Sequence, residues 1–455
     1  MISHRYIPAL CAGFLLLGGC QALPSSDHAL THAPTTSAVI DILHYSAWVE
    51  PDIGTKSVTG WVEVTFTNAN AANKELKLNA GALEIDSISE EGKPLAYLRA
   101  GNTLTIALPV STGQTGYSQR RTVKIAYHGQ PKQGITFLTD AKQVFTVFST
   151  SQWMPCADAP DERATLQLTL VVPAGMKVAA NGKLISERMS PQGKLISEWS
   201  EELPVSSYLY GFVAGDFRDA RDDSAKPALR FLGPPAFSEN DLRQIFRDTR
   251  EMIRFYEDKA GMAYPGPTYT QALVSGRAAQ EMSGLAVMSE NYGKRVLTDE
   301  RKTWLGAHEL SHQWWGNGVT NRDWTHFWLN EGIATFMNAA WFEHRYGREE
   351  YLLHIDGAKA SYEKLKAAGK DKPLVFPNWD NPTPEDRSLV YDKGAYVVHL
   401  LREKLGEKAF WAGLRRYTRE YWGKPVTTRD FQRVMEAESG TDLSDFFGER
   451  IYPRD

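Results

Sequence analysis

The spacing of apolar residues changes once along this chain, and the change divides it in two. From about residue 39 to 216 the period is two: Val62, Val64 and Phe66 alternate with Glu63, Thr65 and Thr67, and the same holds for Val123, Ile125 and Tyr127 and for Leu166, Leu168, Leu170 and Val172. Successive side chains of a strand point to opposite faces, so each run predicts a strand with one buried face. The string GKLISE occurs at 182–187 and again at 193–198, around a stretch containing Ser190-Pro191-Gln192. It predicts the two strands of a hairpin rather than a repeated domain. Beyond Asp216 the period lengthens to that of a helix, with Ser238 placed as the N-cap of a helix whose face carries Leu242, Ile245, Phe246, Ile253 and Tyr256. A chain of 455 residues can bury more than one core. The expected class is therefore α+β, with an antiparallel β domain over 39–216 and a mainly helical domain over 217–455.

The helical half holds GAHELSHQWWGN at 306–317. Residues four apart share one face of a helix, so His308 and His312 would converge on one point. Two imidazoles and a carboxylate, with a fourth position open, are a known zinc set for peptide hydrolysis. The third donor is sought in HFWLNEGIATFMNAAW at 326–341, where Glu331 follows His312 after eighteen intervening residues. That length lets the first helix end near Gly316–Gly318, turn, and meet a second, antiparallel helix. Spacing alone is also met by a surface helix that carries the three residues by chance.

A wider set of segments narrows the choice. Residues Ala307 to Asn317, followed by Trp328-Leu329-Asn330-Glu331-Gly332, resemble the aminopeptidase N family of zinc metallopeptidases, of the HExxH-x18-E type. SQWMPCADAPDERATLQLTLVVP at 151–173, SYLYGFVAGDF at 207–217 and VYDKGAYVVHLLREKLGEKAF at 390–410 resemble further family segments, in family order from about residue 45 onward. The resemblance implies a thermolysin-like catalytic domain behind the β domain, one Zn2+ per chain on His308, His312 and Glu331, and peptide substrates. It implies Tyr391 as the donor to the developing oxyanion and Glu281 as the carboxylate that binds a free amino terminus. Glu309, beside a ligand, is placed as the general base that carries a proton to the leaving amine.

The amine-binding segment departs from the family pattern. Ala278-Ala279-Gln280-Glu281-Met282, followed by Gly284-Leu285, keeps the glutamate but not the leading glycine, the methionine or the asparagine around it. A second amine-binding position falls near Thr146 without a Glu or Gln. The chain stops at DFFGERIYPRD, where the family's catalytic domain ends, and a more open cleft is expected. Two alternatives therefore stand: a zinc hydrolase of other specificity, endopeptidase or non-peptide, and a surface lipoprotein that binds zinc without catalysis.

The first residues follow a different logic. An apolar run from Ile7 to Leu17 behind Arg5 reads as an export signal over 1–19, too short to span a membrane. Its end, Leu17-Gly18-Gly19-Cys20, resembles a bacterial lipobox, which implies a lipid on Cys20, a Ser/Thr/Pro-rich tether over 20–38, and an exported lipoprotein at the periplasmic face of the cell envelope. Of three cysteines only Cys156 is then left in the folded body, so no disulfide framework is expected and Cys156 is placed in the packing. A net charge of −4 without a Lys/Arg run supplies no field for nucleic acid, which is excluded as a partner.

Overall fold

The computed structural model describes residues 40–69, 73–109, 119–376 and 382–453. The export segment, Cys20 and the tether lie outside the described residues, as does part of the Pro-rich loop 376–386.

The first half is built of strands. Its main sheet has eight, in the order Lys183–Met189, Lys194–Ser206, Arg163–Pro173, Ile40–Asp52, Ser57–Asn68, Gln119–Gly129, Glu84–Glu90 and Lys93–Pro94. The residues that alternate in the sequence (Val62, Val64, Phe66, Val123, Ile125, Tyr127, Leu166, Leu168, Leu170 and Val172) are all buried on it. The two GKLISE segments pair as a hairpin, with a bulge between Leu184 and Ser186. One pairing departs from the antiparallel expectation: Ile40–Asp52 runs parallel to Arg163–Pro173. Parallel neighbours need a long crossover, and the strands between them supply it. Smaller sheets of four and three strands complete this half.

The second half does not turn helical at once. It opens with a five-stranded sheet in the order Arg218–Asp222, Ala228–Gly233, Thr268–Val274, Leu285–Ser289 and Ala279–Gln280. Both faces of this sheet are covered. Leu285 and Val287 join the core of the β domain, while Ala286 and Met288 join the core of the helices. Such strands read as unbroken apolar runs, which is why no period of two marks them.

The helices are α1 (Glu239–Ile245), α2 (Thr249–Ala260), α3 (Glu290–Thr298), α4 (Trp304–Ser311), α5 (Trp328–Tyr346), α6 (Arg348–Ala367), α7 (Pro384–Ser388), α8 (Gly394–Tyr421), α9 (Thr428–Ser439) and α10 (Ser444–Arg450). Ser238 caps α1 in a reciprocal box with Asp241. The single helix expected after it is two, because Phe246 leaves helical geometry at φ −104° and ψ 17°. No helix among the described residues is long and apolar enough to cross a membrane.

Arg163 ties the halves together. Its guanidinium donates to Pro204 O at 3.1 Å within the β domain, and across the interface to Thr320 Oγ1 at 2.5 Å and Asn317 O at 2.9 Å. Arg163→Ala would leave these acceptors without their charged donor and is expected to destabilise the fold by about 3 kcal/mol. Denaturant unfolding checks this, and a loss below about 0.5 kcal/mol would show that Arg163 is not the tie.

Candidate active site

His308 and His312 lie on α4, whose residues from Leu305 to Ser311 are all buried. The helix ends at Ser311 rather than near Gly316–Gly318, and His312 is its C-cap, still helical at φ −58° and ψ −24°. The chain then curls back, with Asn317 N donating to His312 O at 2.9 Å. Gly316 closes this turn at φ +136°, where a Cβ would stand 2.5 Å from Asn330 Oδ1 and 3.0 Å from His312 Nδ1. Only glycine allows the loop to lie so close to the ligand. Glu331 sits in the first turn of α5, where the helix dipole favours a carboxylate.

The three predicted ligands meet. His308 Nε2 is 3.2 Å from Glu331 Oε2, His312 Nε2 is 3.4 Å from the same oxygen, and the two Nε2 atoms are 3.0 Å apart. A tetrahedral ion with bonds of about 2.0–2.1 Å has ligand edges of about 3.3–3.4 Å, so the donor set fits zinc. His312 Nδ1 lies 3.1 Å from Trp315 O, and a ring N–H donated there leaves Nε2 free to coordinate. This is the one group of three or more His, Cys, Asp or Glu donors that converges among the described residues.

The site is crowded with negative charge. Glu309, Glu331 and Glu281 are each about 2 % exposed. Burial pushes Glu309 well above the usual carboxylate range; His312 opposes this, and Glu281 and Glu331 add to it. Burial would raise Glu331 too, but His312 and hydrogen bonds from both imidazoles outweigh it and hold the carboxyl low. Burial lowers His308, and the neighbouring His312 adds to that. In His312 burial is outweighed by Glu331, Glu281 and Glu309, which lift the imidazole to about 10. Carboxylates gathered around two imidazoles in this way suit a bound cation.

Glu281 follows the edge strand Ala279–Gln280, in a segment held from both halves of the molecule. Gln280 is a brace, accepting from Phe148 N at 2.6 Å and donating to Tyr208 O at 2.9 Å. Gln313, just past the second histidine, donates to Met282 O and accepts from Gly284 N, and Asn317 Nδ2 donates to Glu281 O at 2.7 Å. Met282 fills the space beside Gly211, with its sulfur 3.7 Å from Thr146 Oγ1. Thr146 is itself buried and takes the Phe212 N–H. The altered residues therefore pack the segment and leave the glutamate in place. Burial raises the Glu281 carboxyl, and its Oε1 has no hydrogen-bond partner among the described residues.

Tyr391 approaches from the other side. It lies in a π-helical turn, Leu389–Lys393, that leads into α8, and its ring stacks on His308 with centroids 5.8 Å apart and planes 19° apart. Backbones set this distance. A Cβ on Gly332, next to the ligand Glu331, would stand 2.9 Å from Gly394 Cα and 3.0 Å from Val390 O.

Two residues here escaped the sequence reading. Asn330 Nδ2 donates to Tyr208 Oη at 3.3 Å, and its amide also supports the Glu281 carboxylate. Tyr208 donates to Gly316 O at 3.3 Å, and its ring stacks on Phe148 and meets Trp324 edge-on. The position of Asn330 beside Glu331 was the available signal, whereas nothing local marks Tyr208. Cys156 is buried, and burial pushes its thiol well up.

Comparison with known proteins agrees with this geometry. The chain is 27% identical over 449 residues to aminopeptidase N of Lactococcus lactis, covering 89% of this chain and 50% of the relative. It is 25% identical over 428 residues to aminopeptidase M1-D of Oryza sativa subsp. japonica, covering 87% and 48%. It thus spans about half the length of the curated relatives it matches. The crystal structure of the M1 zinc metallopeptidase from Deinococcus radiodurans superposes with a TM-score of 0.76 at 22% identity, covering 92% of this chain and 95% of that one. Residues 42–209 match the Peptidase M1 N-terminal domain and residues 245–449 the Peptidase family M1 domain. With both domain descriptions matched in order around a converged His308, His312 and Glu331, the chain belongs to peptidase family M1.

Proposed function

We propose that this protein is a zinc-dependent aminopeptidase that removes the first residue of peptides with a free amino terminus. The observation that carries the reading is Glu281, a buried carboxylate with an unmatched oxygen beside the metal-ligating cluster. Glu281, Glu309 and Glu331, ionised around a bound metal, would bring three negative charges into a buried site. Zn2+ and one substrate ammonium supply three positive charges and balance them. A substrate without an ammonium would leave one buried carboxylate uncompensated, which is costly in a low-dielectric interior. The Deinococcus structures include one bound to a Tyr-Ser-Ala substrate, a peptide of the class proposed here.

His308 Nε2, His312 Nε2 and a Glu331 oxygen would hold the ion. Bound zinc supplies Lewis acidity to the scissile carbonyl and to the attacking water. Glu281 fixes the substrate ammonium by a charge-assisted hydrogen bond and so sets which peptide bond lies over the cluster. Glu309 takes the proton from the attacking water and passes it to the leaving amine, work suited to a carboxylate whose proton affinity burial has raised. The Tyr391 phenol donates to the oxygen on which charge develops. Behind the catalytic groups, Asn330, Gln280 and Gln313 keep the amine-binding segment in register with α4.

We further propose that a lipid on Cys20 holds the mature protein at the periplasmic face of the bacterial envelope, the tether 20–38 giving it reach. Leu17-Gly18-Gly19-Cys20 supports this reading. Cys20→Ala is expected to release the protein from membranes or block its processing, and normal processing with unchanged membrane fractionation would exclude it.

Glu309→Gln should retain near-stoichiometric zinc and lose about 10²–10⁴-fold in turnover, whereas His308→Ala and Glu331→Ala should lose the metal as well. Metal analysis beside activity reads both, and an active Glu309→Gln would assign the proton transfer elsewhere.

Free aminoacyl amides should be cleaved and their N-acetylated forms spared. Glu281→Ala should lose about 10–100-fold on the free amides, the worth of a charged hydrogen bond, while keeping its zinc. Equal cleavage of free and blocked peptides would replace this reading with that of an endopeptidase.

A further inference from the structure

The turn that carries Tyr391 is fixed from two sides. On one, Gly394 lies backbone to backbone against Gly332 of α5. On the other, the two residues after Tyr391 are taken up by α6 and the strand of chain that follows it. Asp392 is 5 % exposed and accepts from Ser361 Oγ at 2.5 Å. Lys393 is also 5 % exposed, and its ammonium donates to Asp371 Oδ1 at 2.7 Å and to Lys372 O at 2.6 Å. Tyr362 completes the enclosure, with its ring 5.2 Å below the Lys393 ammonium and its hydroxyl donating to Asp371 Oδ2 at 3.2 Å. An ammonium and a carboxyl buried side by side, each on its own partner, would cost more than an apolar pair if their only task were to fill space.

A π turn holds one residue more per turn than the α-helix it enters, and such turns concentrate at functional sites. The extra residue rotates the side chains that precede it relative to those of α8. In Leu389–Lys393 this sends Tyr391 toward His308 while Asp392 reaches Ser361 of α6 and Lys393 reaches Asp371 just beyond it. Undoing the rotation would move the phenol off the ligand cluster without changing its identity.

We propose that Lys393 and Asp392 are positioning residues: anchored by Asp371, Tyr362 and Ser361, they lock the π turn and thereby hold the Tyr391 hydroxyl over the metal-ligating cluster. The inference rests on the reading of Tyr391 as oxyanion donor. The anchors act on the transition state only through the phenol, so they govern kcat rather than the binding of substrate.

A double-mutant cycle on the zinc-loaded protein tests this. Tyr391→Phe is expected to lower kcat about 100–1,000-fold. In the native background Lys393→Met and Ser361→Ala should each lower kcat by about fivefold or more, with KM within about twofold and zinc content unchanged. In the Tyr391→Phe background the same changes should cost less than about twofold, since no phenol is left to misplace. Equal losses in both backgrounds would mean that the anchors serve the fold alone, and native kcat in both variants would likewise overturn the proposal. Should Tyr391→Phe itself cost less than about threefold, the oxyanion role falls and the proposal with it, a pattern distinct from equal losses. Ser361→Ala, which removes one half-buried hydroxyl, carries the test if Lys393→Met does not fold.

Discussion

Two imidazoles and a carboxylate converge on one buried point with two more buried carboxylates as charged neighbours, and most of the architecture serves to keep them there. Burial, with Glu281 and Glu331 adding to it, raises the proton affinity of Glu309, so these carboxylates stay together only on firm supports. The five members come from three supports. Helix α4 brings the imidazoles and Glu309, the first turn of α5 brings Glu331, and the edge of the five-stranded sheet brings Glu281. The spacing among these supports is set by close contact of backbone and by hydrogen bonds to backbone, which yield less than side-chain packing does. The Gly332–Gly394 approach and the turn closed by Gly316 are the clearest instances.

The β domain belongs to the same device. Arg163, Tyr208 and Asn181 all reach across from it, and Asn181 Nδ2 donates at 2.8 Å to both Leu209 O and Ser283 O. Glu201 adds a buried carboxylate that accepts from Ser283 Oγ at 2.8 Å, and burial, partly offset by that bond and by the Leu203 N–H, raises its carboxyl to about 7. The half of the chain without a metal ligand thus shapes the segment that carries Glu281.

How much of this was legible in the sequence follows from which signals are local. His308, Glu309 and His312 lie within one helical turn and Glu331 has a fixed offset, so the metal-ligating set could be named before any fold was known. Strands with one wet face, such as the one holding Val62, Val64 and Phe66, announce themselves by alternation. Leu285–Ser289 does not, because both its faces are buried, and the five-stranded sheet was missed for that reason. The break at Phe246 and the π turn before α8 are decided by packing, and no local pattern marks either. Gln280 looked like a defect in an amine-binding segment. Only the fold shows its amide spanning from Phe148 to Tyr208, an exchange of partners that no single segment can report.

The pinning of residues 280–284 from both halves has a thermodynamic consequence. Gln280 and Ser283 are bonded to the β domain, while Met282 and Gly284 are bonded to Gln313 at the end of the metal helix. On the proposed reading of Glu281, recognition of an amino terminus and the docking of the two domains would then be linked functions. By reciprocity, any ligand that engages Glu281 in the docked arrangement tightens the junction by the same free energy with which the junction sharpens its binding. If Glu281 reads the amino terminus as proposed, selectivity for the substrate's first residue would in this sense be a property of the seam between the domains, and it would soften wherever the seam is loosened, however distant that change is from the metal.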